Sequence, residues 1–145
     1  VHGIVQEAVK QGGELVYGGE PIEGTGYYFQ PTAIRMSDNN AEILQHEIFG
    51  PVAIIVPFTS KEEVIELANN TDAGLASYVF SKDDAILAFF AEKLEFGEVQ
   101  LNGVKYDIYL PHGGVKNSGI GVDCSTYALD DYLVRKRVSR ALGMA

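Results

Sequence analysis

The sequence predicts an α/β domain built on a largely parallel β-sheet. Short apolar runs alternate along the chain with amphipathic helical segments, the order that parallel strands with crossover helices produce. The most apolar run, VAIIVPF, is continuous rather than alternating, as expected of a strand covered on both faces. The chain has 145 residues and is 46% hydrophobic, which is enough for one domain with a sizeable core.

The first third of the chain predicts a helix and two extended segments. Apolar side chains share one helical face at Val1, Ile4, Val5, Ala8 and Val9. Gly12 and Gly13 follow as a stop signal. ELVYGG predicts a short strand closed by a turn, and YYFQPTAI predicts an extended segment interrupted by Pro31. Because the helical pattern is in phase from the first residue, we expect the sequence to be a piece of a longer chain.

The middle of the chain predicts two helices between strands. Ser60 and Glu63 form a candidate capping box ahead of a short helix. LASYVF predicts the next strand, and Asp83 is a candidate N-cap for the second helix. Gly97 is expected to end that helix before EVQL, which predicts another strand.

The last third of the sequence changes in character after Asn102. PHGGVKNSGIG predicts a loop, because it holds four glycines from Gly113 to Gly121. Polar and apolar side chains alternate in the tail, which predicts a late strand at a sheet edge that is open to another chain. We therefore divide the sequence into residues 1–131, the main α/β portion, and residues 132–145, a terminal strand and tail.

Composition and charge exclude several kinds of partner. A net charge of −9 argues against a nucleic-acid groove or an anionic membrane surface. No apolar run approaches the ~20 residues of a membrane span. The three histidines and one cysteine lack metal-ligand spacing, so no metal site is predicted. A single cysteine cannot form an internal disulfide, which favours a reducing compartment and a cytoplasmic location.

The stretch HEIFGPV carries the strongest chemical pattern. The carboxylate of Glu47 can accept hydrogen bonds from both hydroxyls of a vicinal diol such as a ribose. The ring of Phe49 can lie against a flat heterocycle. The Gly50–Pro51 turn would fix both side chains at the beginning of the apolar strand. The alternative interpretation is a solvated glutamate beside a core phenylalanine.

Two other patterns are weaker. The glycine-rich loop lacks the Gly-Lys-Ser/Thr triplet of a phosphate-binding loop, which favours a tight structural loop. Cys124 is a candidate nucleophile with His112 as its base. The sequence does not indicate a third residue that would orient this base. The alternative is that Cys124 is a small side chain packed in the fold.

Taken together, these motifs resemble the C-terminal part of an NAD(P)-dependent aldehyde dehydrogenase. The resemblance covers nearly the whole chain in family order, and EIFGPV and GGVKNSGIG are its most specific stretches. It implies that Glu47 holds the nicotinamide ribose and that Phe49 packs beside the nicotinamide of NAD or NADP. It also implies that His112 lines the aldehyde tunnel, at a position that is usually aromatic, and that Tyr106 lies near another wall position.

The resemblance also indicates what this sequence lacks. In the family the nucleophilic cysteine, the general-base glutamate, the oxyanion asparagine and the dinucleotide-binding domain all lie upstream of the matching stretch. The family reaction is thiolate attack on the aldehyde, hydride transfer to NAD(P)+ and hydrolysis of the thioester. We therefore expect an incomplete catalytic domain that contributes no catalytic residue and is inactive alone.

The resemblance leaves the substrate open and predicts an assembly. The late motifs resemble aminobutyraldehyde dehydrogenases, and other stretches resemble the lactaldehyde and succinate-semialdehyde enzymes, so we expect a small aldehyde as substrate. In the family the strand corresponding to residues 132–145 extends a sheet in another subunit, which implies a homodimer or homotetramer. The alternative function is a non-catalytic truncated chain that acts as a binding or assembly module.

Overall fold

A computed structural model describes residues 1–143, which form two compact units. The first unit is Val1–Asp72, and the second begins at Ala73. The helices are α1 His2–Lys10, α2 Glu42–Gln45, α3 Lys61–Asn69 and α4 Asp84–Lys93. The strands are β1 Glu14–Tyr17, β2 Thr32–Arg35, β3 Val52–Ile55, β4 Ala76–Val79, β5 Glu98–Leu101, β6 His112–Gly113 and β7 Val122–Asp123. Two 3₁₀-helices cover Lys116–Ser118 and Tyr127–Tyr132.

The first unit is a three-stranded sheet with a small helical layer. The strand order is β1-β2-β3, with β1 antiparallel to β2 and β2 parallel to β3. The buried cluster joins α1 to the central strand and the segment after it, at Val5, Ala8, Ile34, Met36, Ala41 and Ile43. Ile34 on β2 is fully buried, so the middle strand anchors this core.

The apolar strand β3 differs from its prediction. Val52 and Ile54 are partly buried against the core cluster, whereas Ala53 is exposed and Ile55 is 49% exposed. The prediction of a strand covered on both faces is therefore wrong for this chain. The physical reason is that only Val52 and Ile54 face the core cluster, and no described segment of the first unit buries the opposite face, which carries Ala53 and Ile55.

The second unit contains two separate strand pairs. Strands β4 and β5 are parallel and are connected through α4, and β6 and β7 form a short antiparallel pair. The α/β class is confirmed. The predicted parallel pairing holds for β2–β3 and β4–β5, while the described strands fall into three small sheets rather than one.

Side chains cap helices α3 and α4 near the positions that the sequence predicts. Ser60 Oγ accepts a hydrogen bond from the Glu63 N–H at 3.1 Å, which is half of the predicted capping box. In a full capping box the Glu63 side chain would accept from the Ser60 N–H. Here it accepts from Thr59, one residue earlier: from the N–H at 2.7 Å and from the hydroxyl at 2.6 Å. Those hydrogen bonds from Thr59 lower the pKa of Glu63. Asp83 caps α4 by accepting from the Ala85 N–H at 2.8 Å.

Gly97 has a different structural role from the predicted one. Helix α4 ends at Lys93, four residues earlier, so Gly97 is not its stop signal. A Cβ placed at Gly97 would overlap the carbonyl oxygen of Gly113 and lie 2.7 Å from its carbonyl carbon. Glycine is needed here because the backbones of the β5 and β6 segments approach too closely for a side chain.

No described residue of the tail, positions 132–143, lies in a strand. Tyr132 belongs to the last 3₁₀-helix, and residues 133–143 are exposed and lie in no helix or strand. The predicted pairing of the tail with another subunit involves a second chain, so that role stays a prediction. Met144 and Ala145, the end of the predicted tail, lie outside the described residues.

Candidate functional site

In the first unit, the segment between α2 and β3 directs two side chains outward. After α2 ends at Gln45, the backbone becomes extended at His46, with φ −126° and ψ 145°. Ile48 is partly buried against the core cluster, and its neighbours Glu47 and Phe49 are exposed. Because the middle residue is held by the core, the carboxylate and the ring on either side of it are available to a ligand.

The turn that follows is fixed by close contacts and backbone hydrogen bonds. A Cβ at Gly50 would lie 2.7 Å from Cγ2 of Val1, the residue before α1, so that side chain would have to shift to admit one. The Pro51 carbonyl accepts a hydrogen bond from the Thr32 N–H at 2.8 Å, which joins the turn to β2. The predicted role of Gly50 and Pro51 as a fixed turn at the start of β3 therefore fits the contacts.

Phe49 is held in an unfavourable state on two counts. Its φ is +51°, in the left-handed region that bulky residues rarely adopt. Such a conformation costs about 1–3 kcal/mol and is concentrated at functional positions. The side chain is also 86% exposed, so this chain does not gain the ~1.5–3 kcal/mol that burying a phenyl ring provides. In this chain, Phe49 is not the core phenylalanine of the alternative interpretation.

Glu47 has a carboxylate free for a ligand. Within the described part of the chain, no hydrogen bond or ion pair joins it to another residue. An ionised carboxylate offers acceptor positions only, so it suits a ligand that presents hydroxyl donors. This is the chemistry that the motif predicts.

In the second unit, His112 is paired with a residue that sequence reasoning missed. His112 lies on β6, and its Nδ1 forms a short contact with Oε1 of Glu98 on β5. The second carboxylate oxygen of Glu98 accepts from Gln100 Nε2 at 3.2 Å. The hydrogen bond from His112 is the main cause that lowers the pKa of Glu98; burial opposes it and Gln100 adds to it. Polar residues at positions 98 and 100 of an otherwise apolar strand were the signal for this pair.

Tyr106 lies beside the same histidine. The ring centroids of Tyr106 and His112 are 6.5 Å apart with an interplanar angle of 65°, an edge-to-face arrangement. The Tyr106 hydroxyl lies 3.4 Å from Cys124 Sγ, and this contact is the largest cause that raises the pKa of Tyr106. The thiol therefore contacts a phenol, and among the described residues no hydrogen bond joins it to His112. This geometry does not support the hypothesis of Cys124 as a nucleophile with His112 as its base.

These side chains surround a small cavity. It has a volume of about 210 Å³, and its polar wall consists of Glu98, Gln100, Lys105, Tyr106, Asp107 and His112. The cavity is below the usual ~300–1,000 Å³ of drug-sized ligand pockets, so it fits a small molecule. The structure thus brings the two predicted aldehyde-wall residues together.

The glycine-rich loop is attached to the start of β4. The Gly74 N–H donates to Ser118 Oγ at 2.9 Å, and the Gly74 carbonyl accepts from the Val115 N–H at 3.0 Å. A Cβ at Gly114 would lie 2.8 Å from Ser118 Cβ. These contacts fit the interpretation of a tight structural loop better than a phosphate site.

Across residues 1–143, no group of three or more His, Cys, Asp or Glu side chains is arranged to hold a metal ion. No helix in that range has the length and apolar character needed to cross a membrane. A cytoplasmic location remains a prediction.

Comparisons with known proteins agree with these motifs. The chain is 41% identical over 142 residues to a succinate-semialdehyde dehydrogenase of Paenarthrobacter nicotinovorans, covering 97% of this chain and 32% of that protein. Its fold matches a betaine aldehyde dehydrogenase of Staphylococcus aureus with a TM-score of 0.87 and 36% identity, covering 93% of this chain and 28% of the other. An aldehyde dehydrogenase of Bacillus cereus, in its NAD+ complex, matches with a TM-score of 0.85 and 38% identity, covering 90% and 27%.

The matches cover nearly all of this chain but only a part of each relative. It spans about a third of the length of these relatives or less, so it is a short part of a full-length enzyme and its catalytic domain is incomplete. The sequence model of the family described as "Aldehyde dehydrogenase family" matches residues 1–138. The chain therefore belongs to the aldehyde dehydrogenase family.

Proposed function

We propose that the full-length enzyme oxidises a small aldehyde to its carboxylic acid with NAD or NADP, and that this chain supplies two walls of its active site. Glu47 and Phe49 form the cofactor wall, and His112 and Tyr106 form the aldehyde wall. The observation that carries the proposal is the state of the cofactor wall. Among the described residues the Glu47 carboxylate has no partner, and it stands beside a strained, exposed ring in a family motif.

The residues of the cofactor wall fit a nicotinamide nucleotide. A bound nicotinamide cofactor supplies the hydride acceptor that aldehyde oxidation needs. Glu47 would accept hydrogen bonds from the ribose hydroxyls, and hydrogen bonds to a charged group are worth about 1.5–3 kcal/mol. Phe49 would provide an apolar face for the ring. The NAD+ complex of the Bacillus cereus relative supports a nicotinamide cofactor, and we leave NAD and NADP as alternatives.

The residues of the aldehyde wall fit a small substrate. His112 and Tyr106 line a cavity of about 210 Å³ in which polar side chains predominate over aliphatic ones. The names of the relatives include succinate-semialdehyde and betaine aldehyde dehydrogenases, both of which act on small aldehydes with a charged end. We therefore propose a small polar aldehyde as the substrate class.

The chain alone should not catalyse this reaction. In the proposed mechanism the nucleophilic cysteine comes from outside residues 1–145, and Cys124 instead contacts Tyr106. We also propose that residues 132–145 pair with another subunit, which would make the full-length enzyme a dimer or tetramer. Strand addition of this kind satisfies the exposed backbone of an edge segment.

The experiment compares two glutamate variants of the full-length enzyme. Reduced cofactor is followed by absorbance during aldehyde oxidation by the wild type, Glu47→Gln and Glu23→Gln. Glu23 is an exposed glutamate in the same unit and serves as the matched control. We expect Glu47→Gln to weaken cofactor binding or hydride transfer about 10- to 150-fold, the equivalent of about 1.5–3 kcal/mol. Equal behaviour of the two variants would refute the role of Glu47, and no oxidation by the wild type would refute the function.

A further inference from the structure

We propose that Glu98 decides which aldehydes this enzyme accepts. Together with His112 it forms an anionic, hydrogen-bond-accepting wall that favours an aldehyde carrying an ammonium group over one carrying a carboxylate. This inference rests on the proposed function, because that function places His112 beside the aldehyde. It goes further by assigning a specificity role to a residue outside the predicted site.

Glu98 fixes the position of a proton on His112. The Glu98 carboxylate is ionised at neutral pH, because its pKa is lowered below the usual value of 4.5. An ionised carboxylate only accepts hydrogen bonds, so its contact with Nδ1 requires the proton to lie on that nitrogen. A neutral His112 then has Nε2 as an unprotonated acceptor. The histidine is oriented to receive a hydrogen bond from a donor such as an ammonium group.

Charged side chains line the cavity at Glu98, Lys105 and Asp107. The Lys105 ammonium lies 3.4 Å from Asp107 Oδ2, so these two charges offset each other. Among the described residues, Glu98 forms no ion pair with a Lys or Arg, and its contact is with His112. The pKa of Tyr106 is raised first by its hydrogen bond to Cys124 and also by the negative charges of Asp123 and Glu98. With His112 neutral, the cavity wall therefore carries two carboxylates, of Glu98 and Asp107, against one ammonium, of Lys105.

A second cavity beside His112 is also lined by acidic side chains. His112 also lines a second cavity, of about 360 Å³, and the charged residues in its wall are Asp123 and Asp131. No Lys or Arg side chain lines this second cavity among the described residues. A carboxylate-bearing aldehyde that approached His112 would meet like charges, whereas an ammonium-bearing one would meet opposite charges.

The test measures substrate choice in the full-length enzyme. The substrates are 3-aminopropionaldehyde, succinate semialdehyde and neutral butyraldehyde, and kcat/KM is determined for each. Glu98→Gln keeps an acceptor for His112 but removes the charge, and Glu92→Gln removes an exposed charge on α4 as the matched control. We expect the wild type to prefer the amino aldehyde over the semialdehyde. Glu98→Gln should reduce that ratio about tenfold or more, because one unit charge has been removed a few ångströms from the ligand.

The outcomes separate the inference from the function on which it rests. An unchanged ratio in Glu98→Gln, with butyraldehyde still oxidised, overturns the specificity role and leaves the proposed function standing. Wild-type failure to oxidise any of the three aldehydes overturns the proposed function and the inference with it. If Glu98→Gln does not fold, competition in the wild type decides: butylamine should inhibit butyraldehyde oxidation at least tenfold more strongly than butyrate. Equal inhibition by the two compounds overturns the inference.

Discussion

Replacing Gly97 with alanine tests the packing that positions His112. The added Cβ would overlap the Gly113 carbonyl oxygen and lie 2.7 Å from its carbon and 3.0 Å from Gly114 Cα, where ordinary contacts begin at 3.4 Å. All three atoms belong to the backbone, so relief requires β6 to move by roughly 1 Å. Overpacking of this kind costs about 1–3 kcal/mol. We expect the free energy of unfolding to fall by an amount near the upper end of that range.

The same movement should reduce activity, because His112 lies on β6 and its partner Glu98 follows Gly97 directly. A displacement of ~1 Å in a positioning element can lower the rate about 10²-fold. Urea unfolding gives the stability, and kcat/KM of the full-length enzyme gives the activity.

The matched control is Gly103→Ala. Gly103 has no heavy atom within 4 Å of the position of its added Cβ and does not adopt a left-handed conformation. We expect this variant to keep its stability or to gain about 0.4–1 kcal/mol from a less flexible unfolded state. If Gly97→Ala unfolded at the same urea concentration as Gly103→Ala, the close approach of β5 and β6 would be refuted.

Four further predictions concern the site, the core and the assembly. Phe49→Gly relieves a left-handed conformation, so we expect chain stability unchanged or up to about 1 kcal/mol higher by urea titration, while calorimetry of the full-length enzyme shows weaker cofactor binding. The pKa of Glu98 is lowered in the folded chain, so its ionised carboxylate stabilises the fold. The wild type should therefore be more stable than Glu98→Gln by the full difference above about pH 4.5. This difference in the free energy of unfolding should disappear as the pH falls through the lowered pKa. Urea midpoints of both proteins from neutral to acidic pH check this, and a difference that persists unchanged in acid would contradict it. Ile34→Ala should cost about 2–5 kcal/mol, because Ile34 is fully buried, and a loss below 1 kcal/mol would argue against its place in the core. Deleting residues 132–145 from the full-length enzyme should reduce its size in light scattering, and an unchanged oligomer would show that the tail serves its own subunit.

Local patterns predicted those parts of the fold that depend on neighbours in sequence. Helix α1, the Asp83 cap and strand β5 follow from side-chain periodicity and capping chemistry within a few residues, and all three are found. The family motif also placed Glu47 and Phe49 in an exposed segment. Their roles stay predictions, because a ligand-binding role depends on molecules that the sequence does not contain.

Features that depend on distant segments were missed or misplaced. The role of Gly97 depends on the backbone of Gly113, which is sixteen positions later by residue number and invisible to a helix-stop rule. The pairing of Glu98 with His112 arises only when β5 and β6 come together. The exposure of Ile55 also depends on distant segments. An apolar run predicts that both faces of its strand are buried, but it does not show which segments would cover them.

The central claim is that Glu47 and Phe49 form the cofactor wall of an aldehyde dehydrogenase. A crystal structure of the full-length enzyme with its nicotinamide cofactor tests it most directly. We predict Glu47 carboxylate oxygens within about 2.5–3.0 Å of the ribose hydroxyls, the range of charge-assisted hydrogen bonds, and the Phe49 ring against the nicotinamide. A solvated Glu47, with the nicotinamide ribose held by other residues, would contradict the claim.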